Sequence, residues 1–109
     1  MQLIKAIIRP NKVDEVKAAL ERAGVSGMTV TEVRGYGQQK GHTAVYRGKE
    51  YEVSLLPKMA IEIVIADNRV EDTIKVLIAA ARTGEIGDGR VFVTPLSYNY
   101  KIRTGEREA

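Results

Sequence analysis

The two ends of one long, polar stretch of the chain carry groups that could bind an anion together. Residues 35–58 lie between two apolar segments, and this length is unusual because connections in compact domains usually have about 4–6 residues. Backbone N–H groups, side-chain amides and ammonium groups at the two ends would converge on an anion. These groups belong to Gly35, Gly37, Gln38, Gln39 and Lys40 at the first end and to Lys58 at the second.

A glycine-rich segment, residues 84–90, could hold a phosphate group. Glycine lets consecutive backbone N–H groups turn inward as an anion nest, and Arg90 adds a positive charge. The alternative is an ordinary turn between a helix and a strand, because Asp-Gly is a common turn dipeptide. The segment alone favours the turn. Lys101 and Arg103, on one face of a later extended segment, make the phosphate site an equally good interpretation.

The other reactive side chains have no catalytic partners in the sequence. His42 is the only histidine, and an enzyme that forms phosphohistidine would need it, but no carboxylate stands at a fixed spacing from it. Tyr51 lies between Glu50 and Glu52, so its hydroxyl is either exposed and open to modification or carried by a ring that packs on the domain. The sequence contains no paired carboxylates, histidine cluster or Ser/His/Asp set typical of catalysis.

The composition is that of one ordinary globular domain. The chain has 109 residues, 44% of them hydrophobic and 28% charged, and no linker or second domain fits within this length. The absence of cysteine excludes disulfides, thiolate metal sites and cysteine nucleophiles, and it fits the reducing cytoplasm. No apolar run approaches the roughly 20 residues of a membrane span, and the N-terminus has no signal-peptide pattern. We therefore expect a cytoplasmic protein.

Apolar periodicity predicts two β-α-β halves in tandem. Residues 11–15 (NKVDE) are echoed at residues 68–72 (NRVED), and each quintet opens a helix after a strand. Two such halves predict an α+β, ferredoxin-like split β-α-β fold, in which an antiparallel sheet carries both helices on one face. The long loop joins strands 2 and 3. The other face of the sheet would need cover from further copies of the chain, as in a trimer or dimer.

Two local expectations concern the second strand and the C-terminal end. Val30 and Val33 are out of period-2 phase, which indicates a bulge or bend in a strand at residues 28–34. Residues 97–103 alternate between apolar and charged side chains and predict a final strand. The polar residues 104–109 that follow are expected to be loose.

The whole chain resembles the PII nitrogen-regulatory signal-transduction proteins. The segments that carry the resemblance occur in the same order as in that family: TVTEVRGYG (29–37), QKGHT (39–43), YRG (46–48), EY (50–51), LPK (56–58), TGEIGDGRVFV (83–93) and IRTGE (102–106). The resemblance implies one signalling domain over residues 1–109, with an effector loop at about residues 36–55 and a polar tail at about residues 104–109.

The resemblance also implies a trimer that binds ATP or ADP in each cleft between neighbouring subunits. Residues 87–90 would wrap the phosphates, Lys101 and Arg103 would reach them from the adjacent subunit, and Thr29 would lie near the nucleoside. The full set of implied nucleotide-binding residues is Thr29, Gly35, Gly37, Gln38, Gly87, Asp88, Gly89, Arg90, Lys101 and Arg103. Arg90 and Lys101 depart from the family's commoner pattern, which has lysine at the first position and arginine at the second.

A second effector follows from the same resemblance. With MgATP bound, 2-oxoglutarate would chelate Mg²⁺, Gln39 would complete the coordination, and Lys58 would pair with the ligand. Backbone groups of Gly37, Lys40 and Gly41 would meet its far carboxylate. Magnesium suits this role because it keeps few protein ligands and is readily shared with phosphates.

The implied function is non-enzymatic sensing of nitrogen, carbon and energy status, reported to partner proteins through the long loop. Arg47, at the loop apex, would contact an ammonium channel or an enzyme of nitrogen metabolism. Tyr51 would be a site of nucleotidylylation by a nucleotidylyltransferase. Lys49 stands where cyanobacterial relatives have a phosphorylated serine, so that modification is excluded here.

Two alternatives come from other functional classes. A phosphotransferase would use His42 and would form an acid-labile phosphate there during turnover. A ferredoxin-like RNA-binding module would need stacked aromatic residues on its sheet and salt-dependent binding. The chain has one phenylalanine and no tryptophan, and its net charge of +3 comes from basic residues interspersed with acidic ones. This composition argues against the RNA-binding alternative.

Overall fold

A computed structural model describes residues 1–36, 43–46, 49–52 and 55–108, with residues 43–46 and 49–52 described as backbone. The helices are α1 (Val13–Arg22) and α2 (Val70–Ala81), each preceded by one 3₁₀ turn, Pro10–Lys12 and Asp67–Arg69 respectively. The strands are β1 (Gln2–Ile8), β2 (Thr29–Gly35), β3 (Thr43–Tyr46), β4 (Lys49–Glu52), β5 (Leu56–Ile65), β6 (Arg90–Pro95), β7 (Asn99–Tyr100) and β8 (Arg107–Glu108).

The main sheet has four strands in the order β2-β5-β1-β6, and every neighbouring pair is antiparallel. This order places the first strand of each half, β1 and β5, in the centre and the remaining strands at the edges. The predicted ferredoxin-like α+β fold is therefore confirmed.

The hydrophobic core lies between one face of this sheet and the two helices. Alternate residues of β1, beginning with Ile4, are buried, as the period-2 geometry of a strand requires. Val16 and Leu20 of α1 and Leu77 of α2 close the core from the helical side. Each fully buried leucine or isoleucine contributes about 1.5–3 kcal/mol relative to its exposed state.

The two helices begin in the same way, as the repeated quintets predict. In each half a strand ends in extended backbone, one 3₁₀ turn follows, and acidic residues lie in the first turn of the helix. Acidic side chains are favourable there because they oppose the positive end of the helix dipole. The halves are also tied together: Arg69 Nη2 donates a hydrogen bond of 2.9 Å to the carbonyl of Ala23, just beyond the end of α1.

The sheet face that is turned away from the helices carries apolar side chains that are open to solvent. In the register of the sheet, this face includes Leu3, Ile7, Val64 and Phe92. The Val64 and Phe92 side chains are 43% and 50% exposed. A contiguous apolar surface that is open to solvent often marks a protein–protein interaction site.

The second strand differs from the expectation of a bulge or bend. The ladder between β2 and β5 runs without interruption from Thr29 opposite Glu62 to Gly35 opposite Leu56. Val30 is 38% exposed and Val33 is half-buried, so neither side chain is fully buried in the core. The irregular apolar pattern arises because β2 is an edge strand with little buried surface, not because its backbone is distorted.

The prediction of a final strand over residues 97–103 is wrong. Only Asn99–Tyr100 forms a strand, and it pairs with Arg107–Glu108, so the C-terminal segment is a short hairpin and not a loose tail. Two hydrogen bonds close the turn: the Lys101 N–H donates to Glu106 O at 2.9 Å, and the Gly105 N–H donates to Lys101 O at 2.8 Å. Gly105 has φ of +74°, a conformation that favours glycine, and it reverses the chain where alternation alone suggested continuation.

Candidate functional site

A cleft of about 530 Å³ lies at the end of the sheet where β2, β5, β1 and β6 meet the loop that follows α2. Six of the predicted site residues line it together: Gly35, Lys58, Gly87, Asp88, Gly89 and Arg90. The sheet register explains this meeting, because Gly35 lies opposite Leu56 and Ile7 lies opposite Arg90. Tyr36, Ile86 and Phe92 add apolar surface to the same cleft.

Two glycines shape the loop at the cleft, and each has a backbone conformation that side chains disfavour. Gly87 has φ of +103° and Gly89 has φ of +102°. A Cβ atom on Gly89 would lie 1.7 Å from the carbonyl oxygen of Ile7, far inside any real contact. The absence of a side chain therefore lets this loop pack directly against the backbone of β1, which holds the loop at the mouth of the cleft.

The Asp88 side chain holds the loop from within. Asp88 Oδ1 accepts hydrogen bonds from the Thr83 hydroxyl at 2.6 Å and from Arg9 Nε at 2.9 Å. Asp88 Oδ2 accepts from the N–H groups of Thr83 and Gly84 at 2.8 and 2.9 Å. The hydrogen bond from the Thr83 hydroxyl, followed by the one from Arg9, holds the pKa of the Asp88 carboxyl far below its usual range. The carboxylate stays ionised and acts as an internal anion for the first half of the loop.

This arrangement limits which backbone groups of the predicted anion nest are available to an external ligand. The N–H groups of Thr83 and Gly84 already bind the Asp88 carboxylate, so an external phosphate would have to use the later part of the loop. That part runs from Gly87 to Arg90 and faces the cleft. Consecutive N–H groups beside glycines with positive φ can turn towards an anion there.

Two cationic side chains from the sheet bind carbonyl groups of the same loop. Arg9 Nη2 donates to Ile86 O at 2.9 Å, and Lys58 Nζ donates to Gly87 O at 2.7 Å. Burial and then the charge of Arg9 lower the pKa of the Lys58 ammonium, while the Asp88 carboxylate opposes this effect. A bound anion beside Lys58 would relieve the repulsion between the two cations.

The structure does not bring every predicted residue into this cleft. Thr29 lies opposite Glu62, at the other end of β2 from Gly35, which corresponds to a distance of about 20 Å along the strand. Lys101 and Arg103 are exposed in the turn of the β7–β8 hairpin and do not line the cleft. All three residues therefore lie outside the lining of the cleft in their own chain.

Several predicted site residues lie outside the described residues, namely Gly37, Gln38, Gln39, Lys40, Gly41 and Arg47, and His42 does so as well. The expected long loop nevertheless contains regular structure. The backbones of β3 and β4 pair antiparallel, with Tyr46 opposite Lys49. Tyr51 lies in β4, opposite Ala44, although its side chain is outside the described part of the chain.

Sequence reasoning missed Arg9 and Thr83. Arg9 stands between β1 and Pro10, and its backbone is extended with φ of −65° and ψ of 140°, as expected for a residue before proline. That position fixes the side chain at the end of the central strand, next to the loop. The one local signal is the combination of a hydroxyl residue and a carboxylate: Thr83 directly precedes the glycine-rich segment and Asp88 lies within it.

The donor set at the cleft suits an anion or a metal bound together with an anion. In the described part of the chain, no group of three or more histidine, cysteine, aspartate or glutamate residues could hold a metal ion alone. Mg²⁺ fits such a site only where phosphate oxygens supply most of its ligands, which is its usual mode of binding. Among the same described residues, no helix is long and apolar enough to cross a membrane.

Comparisons with known proteins agree on one family. A family model described as nitrogen regulatory protein P-II matches residues 1–106. A protein of that name from Microchaete diplosiphon is 57% identical over 107 residues, which are 98% of this chain and 96% of the relative. The protein of the same name from Azospirillum brasilense is 55% identical over 98% of this chain and 96% of the relative. That from Cereibacter sphaeroides is 54% identical over 97% of this chain and 95% of the relative.

Proposed function

Because the chain belongs to the nitrogen regulatory protein P-II family, we propose that it senses ATP or ADP together with 2-oxoglutarate and regulates partner proteins through its long loop. The resemblance inferred from the sequence is confirmed by that membership. In this proposal residues 1–109 form one cytoplasmic signalling domain, and the protein acts by binding and not by catalysis.

The observation that carries the proposal is the cleft at the loop of residues 84–90, whose lining includes the cations Lys58 and Arg90 and the carboxylates Glu85 and Asp88. Its glycines at positive φ free the backbone of residues 87–90, and Lys58 and Arg90 supply positive charge beside it. The Asp88 carboxylate is neutralised by its own hydrogen bonds, so it does not repel a phosphate chain strongly. These features suit the β- and γ-phosphates of a nucleotide, because N–H groups and cations bind phosphate oxygens well.

The 2-oxoglutarate site would adjoin the phosphate site at Lys58. Gly35 and Lys58 line the same cleft, and Gly37, Gln39, Lys40 and Gly41 follow Gly35 closely in sequence. In our proposal Gln39 would hold Mg²⁺ together with the nucleotide phosphates and 2-oxoglutarate. Such a shared ion makes the binding of the two effectors interdependent, because neither ligand alone completes its coordination.

We further propose that the functional unit is a trimer. The exposed apolar side chains on the helix-free face of the sheet support an assembly that covers this face. The exposed position of Lys101 and Arg103 supports their use at a neighbouring subunit's phosphate site. Thr29 would likewise reach the nucleoside from across the interface. Each complete site would then combine residues of two subunits.

The partner proposals rest on the loop residues. Arg47 would contact an ammonium channel or a nitrogen-metabolism enzyme, because a guanidinium is always charged and can bind several acceptors at once. Tyr51 would accept a nucleotidyl group from a nucleotidylyltransferase. Bound 2-oxoglutarate would change the base of the loop near Lys58 and thereby alter the affinity for the partner, and the coupling would be reciprocal.

Calorimetric titration tests the effector proposal directly. ATP and ADP should each bind the wild-type protein, and 2-oxoglutarate should bind only when both ATP and Mg²⁺ are present. Arg90→Ala should weaken ATP binding, whereas Arg22→Ala, which removes an exposed arginine at the end of α1, should not. Tight binding of 2-oxoglutarate to the nucleotide-free protein would contradict the shared magnesium site.

A further inference from the structure

Arg9, directly after the central strand β1, joins the end of that strand to two points of the loop at the cleft. Its Nε donates 2.9 Å to Asp88 Oδ1, and its Nη2 donates 2.9 Å to the carbonyl oxygen of Ile86. The Arg9 and Asp88 side chains are only 21% and 24% exposed, so water screens this ion pair incompletely. Ile86 and Asp88 flank Gly87, one of the two glycines with positive φ in the loop.

We propose that Arg9 is a positioning residue of the anion site: it fixes the loop on both sides of Gly87 and neutralises Asp88, so that residues 87–90 can accept a phosphate chain. This inference rests on the proposed function, because it assigns a role within the nucleotide site. Arg9 does not line the cleft, and it acts through Asp88 and Ile86 instead of through the ligand.

The charge balance of the loop explains why such a residue is needed. Without Arg9, the Asp88 carboxylate would keep its hydrogen bonds from Thr83 and Gly84 but would lose its only cationic hydrogen-bond donor among the described residues. Its negative charge would then act on phosphate groups bound at the adjacent Gly87 and Gly89. A carboxylate near a phosphate chain disfavours binding unless a cation offsets it.

The geometry of the contact explains why arginine suits this position. Two different nitrogen atoms of one rigid, planar group bond two acceptors that belong to residues on either side of Gly87. A lysine at the same position would keep the positive charge but has one nitrogen at the end of a flexible chain. Arg9→Lys therefore separates neutralisation of Asp88 from the two-point attachment of the loop.

The test measures ATP affinity and the titration of the Asp88 carboxyl carbon by NMR in the wild-type protein and its variants. Arg9→Gln should weaken ATP binding about tenfold or more and should raise the pKa of Asp88. Arg9→Lys should preserve part of the affinity and much of the low pKa of Asp88. The matched control Arg22→Gln removes the same charge from the end of α1 and should change neither quantity.

The outcomes distinguish this inference from the proposed function. If the wild-type protein binds ATP and Arg9→Gln binds it equally well, the positioning role is wrong and the nucleotide site stands. If affinity falls while the titration of Asp88 is unchanged, the mechanism through Asp88 is wrong. A wild-type protein that binds no nucleotide would overturn the proposed function, and with it any role for Arg9 in nucleotide binding.

Discussion

Gly89 is the residue whose replacement tests the backbone contact beneath the cleft most directly. Gly89→Ala places a methyl group 1.7 Å from the Ile7 carbonyl oxygen, so the loop must move away from β1. The matched variant Gly84→Ala also has a positive φ, +91°, but its methyl group meets nothing within 4 Å. Backbone strain costs each variant about 1–3 kcal/mol, and only Gly89→Ala adds a steric collision to it.

We expect Gly89→Ala to unfold at a lower denaturant concentration than Gly84→Ala and to lose most of its ATP affinity. Chemical denaturation and calorimetry measure the two effects. Gly27→Ala serves as a neutral control, because a Cβ atom there meets nothing within 4 Å and the backbone φ is ordinary. Equal stability of the Gly89 and Gly84 variants would mean that the loop does not depend on its contact with β1.

Asp88 should also make the stability of the protein depend on pH in the acid range. Its pKa is lowered in the folded state, mainly by the hydrogen bond from Thr83 and then by Arg9, so the unfolded chain binds its proton more readily. The stabilisation is present above the pKa of an unfolded aspartate, about 3.9, and is lost as the pH falls towards the lower folded value. Asp67, which the N-terminal amine and Gln2 stabilise, acts in the same direction.

Urea denaturation at a series of pH values between about 2 and 6 should therefore show a shallower loss of stability for Asp88→Asn than for the wild-type protein. Asp14→Asn removes an exposed carboxylate from the first turn of α1 and provides the control. If Asp88→Asn reproduced the wild-type dependence, the carboxylate would not be held by the hydrogen bonds described here.

The limits of sequence reasoning at the residue scale follow from distance along the chain. The glycines and Arg90 could be identified because their properties, conformational freedom and positive charge, are local to residues 84–90. The role of Arg9 could not, because its partner Asp88 is 79 positions away and only the fold brings them together. The side chain of Asp88 binds Arg9 and the loop itself, and the assignment of Asp88 to the phosphates stays a prediction.

At the scale of elements, adjacent residues of α2 differ sharply in burial and provide a test of the core. Leu77 is 1% exposed and Ile78 is 42% exposed. Leu77→Ala should cost about 2–5 kcal/mol of unfolding free energy, because it leaves a cavity between α2 and the sheet. Ile78→Ala removes a side chain of the same size from the same helix, and it should lower the unfolding free energy clearly less because Ile78 is partly exposed. Equal losses in chemical denaturation would contradict the placement of the core.

The elements that the sequence predicts best are those that the core requires. The periodicity of β1 and α2 is strong because one face of each is buried, and α2 begins within the quintet at residues 68–72, as predicted. The C-terminal segment is different: its alternation of tyrosine and charged residues is not produced by burial, since Tyr98 and Tyr100 are 63% and 58% exposed. A local turn around Gly105 decides its structure, and period-2 alternation carries no information about such a turn.

At the scale of the whole molecule, the cleft of one chain lacks three of the residues that the family resemblance assigns to the nucleotide. Thr29, Lys101 and Arg103 lie elsewhere on the same subunit. The apolar side chains of Val64 and Phe92 lie on the helix-free face of the sheet, where a neighbouring subunit would cover them. The proposed trimer would account for both observations, since the same symmetric contact would cover the face and complete the site.

Mixing two defective variants tests this shared site. Arg90→Ala damages the part of the cleft that we assign to one subunit, and Arg103→Ala damages the part that we assign to its neighbour. Each variant alone should bind ATP weakly at every site, because every site then lacks one arginine.

When equal amounts of the two variants are dissociated and reassembled together, about a quarter of the sites should combine an intact Arg90 with an intact Arg103 and regain wild-type affinity. Calorimetry would show these sites as a tight-binding fraction, which should be absent when the two variants are mixed without reassembly. If reassembly restored no tight sites, either both arginines would act within one subunit or Arg103 would not contact the nucleotide at all. The exposed position of the hairpin turn, outside the cleft, argues against a site within one subunit.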